Sequence, residues 1–166
     1  MTNSAGAGNG GEIRGDCTVA RPAGDGDADL LVRWHADPEV ARYWDHETFT
    51  RAQMLERLRR PDVEAFVVEE RGRPVGYLQV WRDGDEGGLD MFLIPDARGR
   101  GLGPDAARAV ARHLRHERRW RRVTVDPYLW NEGARRAWSR AGFRPVEERE
   151  PDADHTARWL LMEFAG

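Results

Sequence analysis

Apolar positions recur along this chain at two spacings, and the order in which the spacings alternate predicts its elements. A short β-rich run, Thr18 to Arg21, precedes three stretches read as short helices, Asp29 to Ala36, Pro38 to Trp44 and Thr50 to Arg60. In the third, Thr50 supplies a cap and Met54, Leu55 and Leu58 share one face. Ala65 to Glu70 and Pro74 to Trp81, joined by Arg71-Gly72-Arg73, predict a β-hairpin, with Gly88 to Ile94 as a third neighbouring strand. A glycine-rich loop leads into a helix over about residues 104–119, whose Ala107, Val110, Ala111 and Leu114 form an apolar stripe. Arg122 to Val125 is a strand, and Asn131 to Ala141 is a helix closed by Gly142. Two strands, Phe143 to Glu148 and Thr156 to Phe164, finish the chain. The order predicts an α+β fold, a central sheet with helices on both faces, and no internal repeat is visible.

The chain's 166 residues, 40% of them hydrophobic, fit one domain with a real core. Residues 1–15, with five glycines and little apolar surface, read as a disordered lead, leaving residues 16–166 as the domain. No apolar run approaches the roughly 20 residues of a membrane helix, and no basic-then-apolar leader pattern opens the chain, so a cytoplasmic protein without a membrane partner is expected. Cys17 is the only cysteine, which excludes an internal disulfide, and no Cys/His cluster has zinc spacing. His113 and His116 lie one turn apart, but read as a solvated helix face, so no metal is expected.

The formal net charge of −3 conceals a split. Residues 1–96 hold 19 acids against 11 arginines, whereas residues 97–166 hold 15 arginines against 10 acids. An anionic cofactor on the second half and a cationic substrate on the first would suit this, although solvated charge accounts for it equally well. No nucleic-acid partner is expected.

Candidate chemistry begins at Arg98-Gly99-Arg100-Gly101-Leu102-Gly103, between a predicted strand and a predicted helix. Consecutive backbone N–H groups and the positive end of a helix can surround a phosphate there, and glycine lets the phosphate approach the main chain. Arg98 and Arg100 add charged donors. The loop is not a Walker loop, because no Gly-Lys-Ser/Thr follows, and its glycine spacing does not match the dinucleotide fingerprint. Pro104 suits the first helical turn, and Asp105, an anion beside a phosphate site, should point away from it.

The R-x-x-G-x-G pattern of this loop resembles the acetyl-CoA pyrophosphate loop of the GNAT acetyltransferases. A second motif at the right distance, from Asn131 and Ala134 through Trp138 to Gly142-Phe143, is similar to that family's N-x-x-A-x-x-x-Y-x-x-x-G-F helix. The resemblance covers about residues 17–164 and implies the GNAT fold, with a mixed central sheet, and acetyl-CoA as cosubstrate. It implies cofactor contacts from the loop residues Arg98 to Gly103 and from Asn131, Ala134 and Trp138. It also makes Asp90 to Ile94 the splayed strand, on which Phe92 or Leu93 offers a backbone N–H to the thioester carbonyl and pantetheine takes the place of a missing neighbour strand.

Transfer from a thioester to an amine needs a neutral nucleophile, a stabilised oxyanion and a proton for the departing thiolate. Asp90 can take the amine's proton or hold its ammonium; the alternative is a strand-end acid without function. The family often places a tyrosine near the thiolate, where this chain has Trp138, an indole that cannot supply that proton; Trp138 is either a cofactor contact or core, and Tyr128 or solvent would protonate the thiolate. Gly76-Tyr77-Leu78-Gln79, Leu89-Asp90 and Asp126-Pro127 look like the aminoglycoside 6'-N-acetyltransferases within the superfamily. That resemblance implies a polycationic acceptor bound by Trp44, Gln79, Asp90 and Asp126, with Tyr43-Trp44 as an aromatic pair. The family's acidic loop has only a shortened counterpart here at Asp83, Asp85 and Glu86, and Tyr77, Gln79 and Trp81 share a strand face that packing alone would explain. The rival readings are transfer to a siderophore hydroxylysine-type amine, transfer to a protein N-terminus, or acetyl-CoA binding without catalysis. A homodimer is compatible with all of them.

Overall fold

A computed structural model describes residues 11–166 of the chain. Eight strands form one sheet in the order β1-β2-β3-β4-β5-β6-β8-β7: β1 Ile13–Arg14, β2 Val19–Pro22, β3 Val63–Glu70, β4 Arg73–Asp83, β5 Glu86–Leu93, β6 Arg122–Val125, β7 Phe143–Arg149 and β8 Trp159–Phe164. Every pairing is antiparallel except β5 with β6. The helices are α1 Ala28–Ala36, α2 Pro38–Ala41, α3 Arg51–Leu58, α4 Leu102–Arg112 and α5 Glu132–Ala141.

Two apolar clusters lie on opposite faces of the sheet. Alternation along β4 sends Leu78 and Val80 toward α4 and Tyr77 toward α1 and α3. The α4 face is the larger, with Ala107, Val110 and Leu114 against Val123, Phe143 and Met162. The other is dominated by rings: buried His35 meets Trp44, Phe49, Tyr77 and Phe92 edge-on, with centroids 5.0–5.8 Å apart.

The sheet opens in its middle. β5 and β6 pair in register only from Glu86–Gly88 to Arg122–Thr124, and past Gly88 the two strands part. Continued in register, Pro127 would come opposite Met91, and proline has no N–H for a ladder; its carbonyl accepts instead from Leu160 N on the β8 side. The unpaired half of β5, Leu89 to Leu93, is left facing a gap beneath α4 and α5.

The sequence expectations shift at the element ends. The lead expected over residues 1–15 needs correction at Ile13–Arg14, which pair with β2, because Ile13 buries its side chain and the β2 edge offers free backbone groups; residues 1–10 lie outside the described residues. The long helix begins two residues earlier, at Leu102, and ends in a π-helical turn, His113–Glu117. The second helix stops at Ala41, and Asp45 and His46 take left-handed backbone angles in the loop that follows. The last strand begins at Trp159, three residues later than Thr156.

Candidate active site

The gap in the sheet is the upper end of a groove of about 420 Å³ between β5, the 98–104 loop and α5. At its base, Gly99 and Gly101 have φ of 76° and 79°, and Gly101 caps the N-terminus of α4. A Cβ on either would meet nothing within 4 Å, so the requirement for glycine is one of backbone angle, and left-handed residues of this kind allow successive N–H groups to face one concavity. Gly103 sits under Leu93 and Met91 and leaves the groove floor open. Asn131 caps α5 by accepting from Ala134 N at 3.1 Å. Trp138 is 8% exposed, lies edge-on to Phe143, and shows its remaining edge to the groove, so it is at once core and wall.

Of the expected cofactor residues, Phe92, Leu93, Arg98, Gly99, Gly101, Leu102, Gly103, Asn131, Ala134 and Trp138 line the groove. The Arg100 side chain does not; it turns to Glu70, 2.9 Å away. Arg98 is partly committed, donating to the carbonyls of Leu93 and Glu39, and its guanidinium lies 5.4 Å from the Tyr43 ring centre. The strand register chooses between the two candidate N–H donors. Ile94 N donates to Val75 O and Phe92 lies opposite Tyr77, so by antiparallel alternation the N–H of Phe92 points to β4 while those of Met91 and Leu93 point into the gap. Phe92 is thereby corrected as a donor: its backbone is used by the sheet and its ring by the aromatic cluster.

The groove runs into a second cavity of about 300 Å³; Tyr43, Met91, Asn131, Ala134 and Trp138 line both. Five acids reach this second cavity, Asp45, Glu47, Asp90, Asp126 and Asp154, against one guanidinium, Arg57, and one imidazole, His155. Trp44, Gln79, Asp90 and Asp126, the expected substrate contacts, all line it. Gln79 is 7% exposed and hydrogen-bonded at both ends of its amide. Its amide oxygen accepts from Arg57 at 2.9 Å and from the Tyr77 hydroxyl at 3.0 Å, and its nitrogen donates to Asp90 Oδ2 at 3.0 Å. Burial pushes the Asp90 carboxyl up to about 6, with the nearby Asp126 charge adding to it, while Gln79, Arg57 and His155 oppose the rise. A carboxyl with its midpoint at about 6, within β5 and lining the cavity, suits proton transfer.

Several participants escaped the sequence. Arg57 and His155 carried no motif, and neither did the loop acids Asp45 and Asp154. His155 was detectable in principle, because Asp152 lies three residues before it; the two are 2.8 Å apart. Tyr128, named as a source of the thiolate's proton, is corrected: it donates its hydroxyl proton to Asp45 at 2.7 Å and accepts from Thr156 N at 3.2 Å. The Tyr43-Trp44 pair divides, Tyr43 stacking on Trp130 and Trp44 joining the buried rings. Asp105 points away from the phosphate loop and is 8% exposed. It accepts from the backbone N–H groups of Asp16, Cys17 and Thr18 and from the Thr18 hydroxyl. Among the described residues no group of three or more His, Cys, Asp or Glu is placed to hold a metal, and no helix is long and apolar enough to cross a membrane.

A glycine-formed loop at a helix N-terminus, an unpaired strand beside it and an acidic cavity at the far end suit an extended anionic cofactor brought to a cationic acceptor. Residues 19–144 match the model of the acetyltransferase (GNAT) domain, and the chain belongs to that family. It is an acetyl-CoA-dependent N-acetyltransferase by that membership, with acetyl-CoA as cosubstrate. Among solved structures it is similar in fold to the aminoglycoside acetyltransferase AAC(6')-Ib in complex with paromomycin and acetyl-CoA, at 22% identity, TM-score 0.80 and coverage of 90% of this chain and 94% of that one. It is similar also to a GNAT-family acetyltransferase from Bacillus anthracis, at 16% identity, TM-score 0.81 and coverage of 92% and 97%. A third is spermidine N-acetyltransferase from Vibrio cholerae with coenzyme A and spermine, at 12% identity, TM-score 0.77 and coverage of 89% and 94%.

Proposed function

We propose that the enzyme acetylates an amine on a polycationic small molecule, and that its acceptor is the 6'-amine of an aminoglycoside. The observation that carries this reading is the acidity of the acceptor cavity, in which five carboxyl groups face one guanidinium and one imidazole where it meets the cofactor groove. Clefts lined with one sign of charge concentrate ligands of the other, and Trp44, Trp138 and Tyr43 add flat apolar surfaces that suit the faces of sugar rings. The solved relatives in complex with an aminoglycoside and with spermine give two acceptors of this charge class. In this reading the N–H of Leu93 or Met91 polarises the thioester carbonyl and Asp90 removes the amine's proton. The 98–103 loop holds the pyrophosphate, and water serves the thiolate.

The test is thiol release from acetyl-CoA with kanamycin-type aminoglycosides, the same compounds lacking the 6'-amine, spermidine, a hydroxylysine and a short peptide. Turnover that needs the 6'-amine supports the reading. Preference for spermidine would move the acceptor to linear polyamines, preference for the hydroxylysine or the peptide would discard the polycation, and tight acetyl-CoA binding with no acceptor would leave a non-catalytic binder.

A further inference from the structure

Beside the acceptor cavity, the loop between β7 and β8 presents one imidazole to two carboxylates. His155 Nε2 lies 2.8 Å from Asp126 Oδ2, and its Nδ1 lies 2.8 Å from Asp152 Oδ1. A neutral imidazole has one donor and one acceptor, so it can serve only one ionised carboxylate; both contacts are satisfied together when the ring carries two protons. The loop is built around this contact. Asp152 Oδ1 also accepts from the backbone N–H groups of Asp154 and His155, and the imidazole stacks on Trp159 with centroids 4.0 Å apart and planes 13° from parallel, a favourable seat for a cation. We propose that His155 is a positioning residue for acetyl transfer: held as an imidazolium between Asp126 and Asp152, it neutralises Asp126 and keeps Asp90 in its charged, proton-accepting form. The proposal rests on the reading of Asp90 as the base.

The surroundings are consistent with this. Burial pulls the proton affinity of His155 down, but its bonds to Asp152 and Asp126 outweigh burial and leave it above the ordinary imidazole range. Asp126 raises the proton affinity of Asp90 and His155 lowers it. The other charged or titratable groups around the ring are Tyr128 on the Asp126 segment, Asp154 on its own loop, Glu86 of β5 and Arg122 of β6, which line one cavity with it, and Arg149 at the end of β7, whose guanidinium lies 5.2 Å from the Trp159 ring centre. Arg57, on α3, acts on Asp90 in the same direction as His155. With one oxygen of Asp126 taken by His155, the expected role of Asp126 as a free ammonium site is halved.

The experiment uses the full chain without ligands, so that it does not depend on knowing the acceptor. Carboxyl and imidazole 13C NMR titrations would be recorded for the wild type, His155→Gln and Asp152→Asn. In the wild type His155 is expected to titrate above an ordinary histidine. In His155→Gln the Asp90 midpoint is expected to move upward; in Asp152→Asn, which keeps the loop's bonds through the amide oxygen, it should move the same way by less. With any amine that the enzyme accepts, kcat/KM of His155→Gln should fall roughly three- to fivefold more at pH 6 than at pH 8, a pattern that simple loss of structure does not produce. An ordinary or lowered His155 midpoint, or an unmoved Asp90 midpoint in either folded variant, overturns the proposal. Failure of every amine would instead remove the acceptor reading, with the NMR titrations still deciding the role of His155.

Discussion

The cofactor groove and the acceptor cavity share a wall, yet they are built in different ways. The groove comes mainly from two continuous stretches, Met91 to Pro104 and Asn131 to Arg140, and its key contacts are backbone groups set by glycine angles and by an unpaired strand. The acceptor cavity collects single side chains from the 43–47 loop, α3, β4, β5, the segment after β6 and the β7–β8 loop. Backbone machinery is insensitive to most side-chain changes and sensitive to a few. Side-chain machinery can be changed one residue at a time, which suits the part of an enzyme that chooses its acceptor.

The strongest test of that contrast removes one atom's charge. Asp90→Asn is expected to lower turnover on the order of a hundredfold to a thousandfold, with the KM for acetyl-CoA changed by less than about threefold, because the groove does not use this carboxylate. The wild-type kcat/KM should rise with pH through the Asp90 midpoint of about 6, and the variant should lack that limb. The same variant should be more stable. An acid whose folded proton affinity is raised is buried at a cost when ionised, and that cost is absent in acid, grows as pH climbs past the unfolded carboxyl value, and levels off above about 6. At pH 8 a gain of on the order of 2 kcal/mol follows, read as a Tm some 4–8 °C higher. A variant that is inactive and less stable would mark Asp90 as structural.

Gly101→Val strikes the other side of the comparison. Valine at a φ of 79° is strained, and turning that peptide spoils the anion cradle, so the KM for acetyl-CoA should rise roughly ten- to thirtyfold while kcat at saturation falls less. Equal losses in kcat and KM, or a loss confined to the acceptor's KM, would deny the loop its separate role.

What the sequence disclosed follows the same division. The groove was legible because glycines, a capping asparagine and a helix stop are local signals at fixed spacing: Gly99, Gly101, Asn131 and Gly142 each do in the structure what their neighbours in sequence imply. Asp90 and Asp126 were found, but their setting was not. Arg57 reaches Asp90 through Gln79, 22 residues away in sequence, and His155 meets Asp126 across 29, and no periodicity encodes such meetings. Arg100 misled for the converse reason: its place in the motif suggested a phosphate donor, while Glu70, 30 residues earlier, takes its side chain. Phe92 and Leu93 were separable only once the β4–β5 register was known.

Asp105 offers a control outside both sites. Its carboxylate holds the turn between β1 and β2 against the first turn of α4, and its hydrogen bonds with Thr18, Cys17 and Asp16 outweigh burial and keep its proton affinity below the ordinary range. Asp105→Ala leaves the backbone donors of Asp16 to Thr18 without their acceptor, and a loss of about 2 kcal/mol is expected by thermal or urea unfolding. Because the folded carboxyl titrates below the unfolded one, this contribution is full at neutral pH and fades as pH falls through the folded value. The wild-type and variant curves should therefore converge in acid. Kinetic constants of the folded variant should stay within about twofold.

The smallest effect tests how the acceptor cavity is closed. Tyr43 stacks on Trp130 and Trp130 on Tyr128, with centroids 5.9 and 5.7 Å apart, while the Tyr128 hydroxyl donates to Asp45 in the left-handed corner of the 42–49 loop. Removing only that oxygen, in Tyr128→Phe, keeps the ring stack and releases the corner. A partly exposed hydrogen bond to a carboxylate is worth about 1 kcal/mol, so the acceptor KM should rise about threefold to fivefold. The KM for acetyl-CoA should hold, and thermal stability should fall by no more than a few degrees. Asp45→Asn should reproduce the change, and the double variant should add little to either single one, since both remove the same bond. If instead the two losses add, Asp45 acts on the acceptor through its charge rather than through Tyr128, and the cavity's preference for cations then depends on a loop acid as well as on Asp90 in β5 and Asp126 just after β6.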